Sequence, residues 1–513
     1  MMTASLDRES KTTRTTAAGA PALRPAPVAW GPIAVVVAAL AVLLFAFAGE
    51  YGYHADELYF RLLGKHGFAW GYVDQPPLLP MVVRAAMAVF GDSMWAIRVP
   101  AVLCAAVVTV LGAMIAAELG GSRRAQTLTA FGVATSTMVL SFGHWILTTS
   151  FDTVAWAAVL LCAVRALRRG EGRWWLWAGL VVGAGLYAKY IVLLLAVALL
   201  LGLALAGPRK VFRERWLYAG VAVALALGSP NLIYQATHGF PQLQMAEGLA
   251  GTDGEANRAM FATNLVLLFG PALFVLCVIG LVKLFRVPEW KPVRALGVGY
   301  LAATAASYLI EGGRPDYTGG LLIVLLAAGC VAADRWAGPR KLRLSVLAVC
   351  LVLSAAAQML LSLPVIPKSA LRDFQVASMP LETVGWPRVV EQTEAAYRAL
   401  PEAERARAVV LTENFGEAGA LDRYGHGLPP VYSGHNELHK WGPPPERADV
   451  VVAVGIDRAR LDAGFRSCTV VDHIDNRLGI DNPEQGVPIT VCRGLKLPWS
   501  AQWPGYRHYN AYL

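Results

Sequence analysis

Charge is scarce in this 513-residue chain: Asp, Glu, Lys and Arg together make up 16% of it, against 56% hydrophobic residues. Soluble domains carry about 25% charged residues, so an ordinary cytosolic enzyme is excluded. Disorder over most of the length is excluded too, because the apolar content is far too high. CxxC, HExxH, Walker and GxGxxG signatures in their required contexts are all missing, which argues against an ATP-driven pump or a kinase. The net charge of +9 suggests nucleic acid until the charges are located. Residues 1–363 hold 29 basic and 18 acidic side chains, whereas 364–513 hold 16 and 18. The basic excess therefore belongs to the apolar part, where loop charges orient membrane helices. Nucleic-acid binding drops out.

Long apolar runs are plentiful. A helix crossing the hydrocarbon layer needs about 20 mostly apolar residues. Candidate spans fall near 29–49, 94–118, 127–147, 152–167, 174–188, 190–206, 217–235, 261–285, 294–310, 319–334 and 342–363, about eleven in all. The N-terminal tail and alternate loops, such as Arg165–Arg173 and Arg209–Arg215, gather about 22 basic residues, against about seven in or beside the opposite loops. The richer side reads as cytoplasmic. Residues 1–28 read as a disordered cytoplasmic leader and 29–363 as the transmembrane domain, with its first outer loop at 50–93. Residues 364–513 read as a soluble extracytoplasmic domain. That last part is expected to be a small α/β unit, with strands at Ala408–Leu411, Val450–Val454 and Thr490–Val491 and an amphipathic helix over 388–399. The expected fold class is a polytopic α-helical membrane protein carrying a small α/β domain. Cys468 and Cys492 lie on two strand-like segments of the exported part, a pairing that favours a disulfide.

The first outer loop carries the strongest chemical signal. Tyr51-Gly-Tyr-His-Ala-Asp56-Glu57 is followed by Trp70-Gly-Tyr-Val-Asp74-Gln75-Pro76-Pro77. Carboxylates at a lipid–water boundary are costly to bury, so they are functional candidates; a solvated loop with aromatic anchors is the plain alternative. A carboxylate at a helix start can take a proton from an acceptor hydroxyl within hydrogen-bond reach. Asp152 opens a span from the same face, where a helix cap is the ordinary role of such a residue. Lys189, beside Tyr190, marks a helix break; it reads either as a site cation or as a snorkelling lysine.

These motifs occur in order with Gly91-Asp-Ser, Ser229-Pro-Asn-Leu-Ile-Tyr234-Gln235 and His238-Gly-Phe. Together they resemble the integral-membrane GT-C glycosyltransferases, in the branch of protein O-mannosyltransferases and lipid A aminoarabinose transferases. The resemblance covers residues 30–335. Val431-Tyr-Ser-Gly-His435-Asn436 and Val491-Cys-Arg-Gly resemble a domain found in a bacterial subset. It implies transfer of a sugar from a polyprenyl-phosphate carrier to an envelope lipid, glycan or protein on the extracytoplasmic face of the cell membrane. Asp56 would be the base, with inversion at the anomeric carbon, and Glu57 would position substrate or Asp56. Asp74, Gln75, Arg84, Asp152, Lys189, Tyr190, His238 and Arg314 are the candidate substrate-binding residues. In aminoarabinose transferases a lysine that helps hold the carrier phosphate stands where this chain has Gln75, so Lys189 is the expected substitute cation. No cofactor is expected to be required. A divalent cation among His54, His144, His238 and the acids lacks supporting spacing. The alternative of another class is a transporter or flippase of a lipid-linked saccharide, which predicts midplane charges and internal repeats.

Overall fold

The computed structural model describes residues 25–375 and 378–511. Most of the expected leader, residues 1–24, lies outside the described residues. Fifteen helices come first in the described chain: α1 (Trp30–Phe47), α2 (Ala55–His66), α3 (Leu78–Phe90), α4 (Met94–Glu118), α5 (Arg123–Ala134), α6 (Thr137–His144), α7 (Thr148–Arg169), α8 (Arg173–Gly185), α9 (Val192–Ala206), α10 (Arg215–Thr237), α11 (Pro241–Leu267), α12 (Pro271–Arg286), α13 (Arg294–Leu309), α14 (Gly319–Ala337) and α15 (Lys341–Ser362).

Six helices among the described residues are long and apolar enough to cross a membrane, or seven if one bent pair is one span. Other expected spans are built from shorter pieces. The segment 127–147 is divided between α5 and α6 because Ser136 caps a new helix, its Oγ accepting from Val139 N at 3.3 Å. The stretch 261–285 bends by 87° between α11 and α12. Gly270 there has φ +80°, and Pro271 opens the next helix, so the chain cannot continue straight. Central α14 is almost wholly buried, whereas α15 exposes Leu342, Val352 and Leu353, a surface suited to hydrocarbon. Helices α12 and α14 approach closely at Gly280 and Gly329. A Cβ on Gly329 would lie 2.0 Å from the Leu276 carbonyl oxygen, so only glycine permits this crossing.

Charge is layered along α4. Arg98, near its start, pairs with Glu57 at 2.7 Å, and Glu118 at its end accepts from Arg165 Nε at 2.9 Å. At 1.5 Å per residue those two layers stand about 30 Å apart, the thickness of a hydrocarbon core.

The remaining described chain forms α16 (Ser378–Leu381), α17 (Trp386–Arg398), α18 (Glu402–Arg405), β1 (Ala408–Thr412), α19 (Phe415–Tyr424), β2 (Val431–Ser433), β3 (Val450–Val454), α20 (Arg458–Gly464), β4 (Phe465–His473), β5 (Pro488–Leu495) and α21 (Trp499–Gln502). The five strands lie in the order β2-β1-β3-β5-β4, with β2, β1 and β3 parallel and β5 antiparallel to both its neighbours. Cys468 and Cys492 are register partners on β4 and β5 and are joined as a disulfide. The sheet is not a separate body. Leu58 of α2, Ile97 of α4, Trp145, Val389 of α17, Phe415 of α19 and Val452 of β3 share one hydrophobic core. A Cβ on Gly419 would lie 2.8 Å from that of Leu58, so α19 lies directly on α2.

Candidate active site

Helix α2 starts with a reciprocal cap. His54 Nδ1 accepts from Asp56 N at 3.1 Å, and Glu57 Oε2 accepts from His54 N at 2.9 Å. The two adjacent acids then part company. Glu57 is fully buried, salt-bridged to the equally buried Arg98 and accepting from Ile146 N at 3.1 Å. Arg98 also donates to the carbonyls of Ala48 and Gly52, each at 2.8 Å. The pair therefore pins α2, the end of the first span, α4 and the loop before α7 to one another. Asp56 is left outward, its side chain 36% exposed and 4.0 Å from His54 Nδ1.

Around Asp56 the chain gathers acids from distant segments. Asp74 accepts from Tyr59 Oη at 3.0 Å, and the same Tyr59 oxygen accepts from Glu437 N at 3.2 Å. Glu437 also accepts from Val73 N at 3.0 Å and from Lys440 Nζ at 3.2 Å. Burial first, then the Glu437 carboxylate, raises the Asp74 pKa to about 7, with Asp56 adding a smaller push. Burial raises Glu437 as well, against the pull of Lys440. Glu382 is raised by burial and by Asp56, while His54 opposes. This is a junction where several carboxyl groups share limited positive charge.

A second group flanks the first. Lys189 Nζ lies 3.1 Å from Thr149 Oγ1, 4.0 Å from Asp316 Oδ2 and 5.3 Å over the Tyr317 ring. Asp152 is buried one turn beyond Thr149 on α7, within electrostatic reach of Lys189 and Asp316. Arg314 donates to Asp316 at 3.1 Å, and its pKa is raised by Asp316 first and also by Asp56. Asp56, Asp74, Asp152, Lys189 and Arg314 therefore belong to one connected region.

The other expected residues sit differently. Gln75 is 4% exposed, and its amide oxygen and nitrogen have no hydrogen-bond partner among the described residues. Tyr190 bonds Asn231 and so ties the α8–α9 break to α10. His238 is exposed at the end of α10, stacked on Tyr234 at 4.0 Å and within electrostatic reach of Glu437. Arg84 bonds the Gly64 carbonyl at 2.9 Å, near the far end of α2, about 12 Å along the helix from Asp56. It serves that helix end and is not part of the cluster. Glu57 is fully buried, with its carboxylate taken up by Arg98, His54 N and Ile146 N.

Glu382, Tyr59 and Asp316 are not among the site residues expected from the sequence. Glu437 lies in the polar and aromatic stretch 435–441, whose composition allows sugar or acceptor recognition but favours loop packing on the membrane domain. Among the described residues no group of three or more His, Cys, Asp and Glu side chains is arranged to hold a metal ion.

Fold and site together define a polytopic helical membrane protein with a carboxylate-rich site where the bundle meets a small α/β domain. Residues 74–234 match the family described as dolichyl-phosphate-mannose-protein mannosyltransferase. Among solved structures, ArnT from Cupriavidus metallidurans bound to undecaprenyl phosphate is 17% identical, with a TM-score of 0.61 covering 91% of this chain and 98% of that one. The same protein in the apo state is 15% identical, with a TM-score of 0.59 and the same coverage. No curated protein matches the chain. The fold is that of the integral-membrane GT-C glycosyltransferases, the resemblance read from the sequence motifs.

Proposed function

We propose that the protein transfers a sugar from a polyprenyl-phosphate carrier to an acceptor on the extracytoplasmic face of the cell membrane. The bound undecaprenyl phosphate of the structurally similar ArnT supports a lipid-linked donor. The observation that carries the reading is the split between Asp56 and Glu57: one carboxylate faces outward on a helix whose other acid is locked to Arg98. Such pre-positioning is what a general base requires.

In the proposed reaction Asp56 takes the proton of the acceptor hydroxyl. The acceptor oxygen forms a bond to the anomeric carbon, and the bond from that carbon to the carrier phosphate breaks. Polyprenyl phosphate leaves with the electron pair, and one displacement inverts the centre. The leaving group gains negative charge, which fixed donors and cations stabilise. Gln75 offers an unpartnered amide, and Lys189 and Arg314 supply charge nearby. Asp74, Tyr190 and His238 complete the substrate-binding set; no metal is required in this scheme.

The reading includes about eleven crossings, the short helices among them, with a cytoplasmic N-terminus and an extracytoplasmic C-terminal domain. The cytoplasmic loop charges support that orientation. The test compares wild type with Asp56→Asn on polyprenyl-phosphate sugars. Transfer should fall by at least a hundredfold with donor affinity retained; undiminished transfer removes the base assignment.

A further inference from the structure

A separate cavity of about 460 Å³ lies between the second half of α2 and the C-terminal α/β domain. That volume is within the range of small-molecule sites, roughly 300–1,000 Å³. Its walls include Leu62, Leu421, Asp422, Tyr432, Ser433 and Trp441. Two elements connect it to the site. Helix α2 carries Asp56 in its first turn and Leu62 six residues on, about 9 Å along the axis. The 3-10 turn Asn436–Trp441 sends Glu437 to Tyr59 and Val73 and presents Leu438 and Trp441 to the cavity.

The lining is amphipathic in a particular way. Trp441 stacks on His66 with ring centroids 4.1 Å apart, yet remains 37% exposed. Asp422 on the wall accepts from Lys65 Nζ at 2.7 Å and from Arg61. An indole platform beside a neutralised carboxylate–ammonium pair suits a sugar ring, which has an apolar C–H face and a rim of hydroxyls. A lipid tail would place hydrocarbon against Asp422 and desolvate its carboxylate. An extended peptide adding to β2 would meet only three strand residues, preceded by Pro429 and Pro430, which have no N–H to give.

We propose that this cavity is a saccharide subsite: it holds a sugar unit about two or three rings away from the reactive one in a glycan-bearing acceptor, while the reactive hydroxyl lies at Asp56. The subsite rests on the glycosyl-transfer reading and narrows its acceptor to a saccharide-containing molecule rather than a bare polypeptide.

Full-length protein in lipid nanodiscs would be titrated with mannotetraose and chitotetraose by saturation-transfer NMR. Variants are Trp441→Ala, which removes the platform, and Leu62→Trp, which fills the cavity, each checked for wild-type helicity and melting. The expected result is binding of at least one tetrasaccharide, at least tenfold weaker in Trp441→Ala and abolished in Leu62→Trp. Failure of both probes to bind wild type, equal binding by every folded variant, or displacement of the sugar by extended peptides would overturn the subsite. Hydrolysis of polyprenyl-phosphate sugars by wild type is measured in parallel. Hydrolysis without tetrasaccharide binding removes the subsite and leaves glycosyl transfer standing. Binding with no release of polyprenyl phosphate from any donor, the tetrasaccharide being present as acceptor, upholds a saccharide site and removes the transfer reading.

Discussion

Asp56 and Glu57 are chain neighbours with opposite surroundings, and the difference decides what each does. Glu57 and Arg98 are both wholly out of solvent, so removing one partner leaves an uncompensated charge. Arg98→Met is expected to destabilise the protein by about 3–5 kcal/mol, seen as a lower melting temperature in detergent. Asp74 behaves differently. Its pKa is raised from 3.8 to about 7, so the folded state keeps a proton that the unfolded state releases. That contribution to stability is full below pH 3.8 and is lost as pH rises through about 7. Melting curves of wild type and Asp74→Asn across that window should show a shallower decline in the variant. The acidic pair and the Asp74 box were legible in the sequence because they lie within one loop. Their partner Glu437 was not, because a contact across hundreds of residues leaves no local pattern.

At the scale of elements, α2 joins the bundle and the soluble domain. Tyr59 is its link to the 3-10 turn Asn436–Trp441, donating to Asp74 and accepting from Glu437 N. Tyr59→Phe keeps the stacking on Phe415 but leaves those buried partners unsatisfied. The expected cost is about 1–3 kcal/mol, with faster proteolytic release of the soluble domain as the readout. Apolar runs marked most bundle helices, β1, β3 and part of β5, but gave no sign of α3 or of α11 before residue 261, whose sequences are less continuously apolar or lie within the first outer loop. The breaks were harder. The division between α5 and α6 rests on one serine cap, and the bend after α11 on Gly270-Pro271, within runs whose hydropathy never falls.

The molecule as a whole is fastened at two levels. One is the shared core that unites α2 and α4 with α17, α19 and the sheet. The other is the Cys468–Cys492 disulfide, which ties β4 to β5 at a separation of 24 residues. Reducing it, or replacing both cysteines by serine, should lower stability by about 2–4 kcal/mol, seen as earlier unfolding of the soluble domain in reductant. The mostly helical fold with a small C-terminal sheet was readable because charge and hydropathy change together near residue 364 and strand-like runs follow. The seating of that tail on α2 depends on side-chain fit, which composition does not encode. That seating has a consequence for biogenesis. A ribosome makes Asp56 hundreds of residues before Glu437, so the carboxylate cluster stays incomplete until the sheet-bearing part has been made and folded. A nascent chain halted within the bundle would carry Asp56 and Asp74 without the Glu437 carboxylate that raises Asp74 in the folded protein, so this electrostatic setting is a property of the folded whole and of no shorter piece.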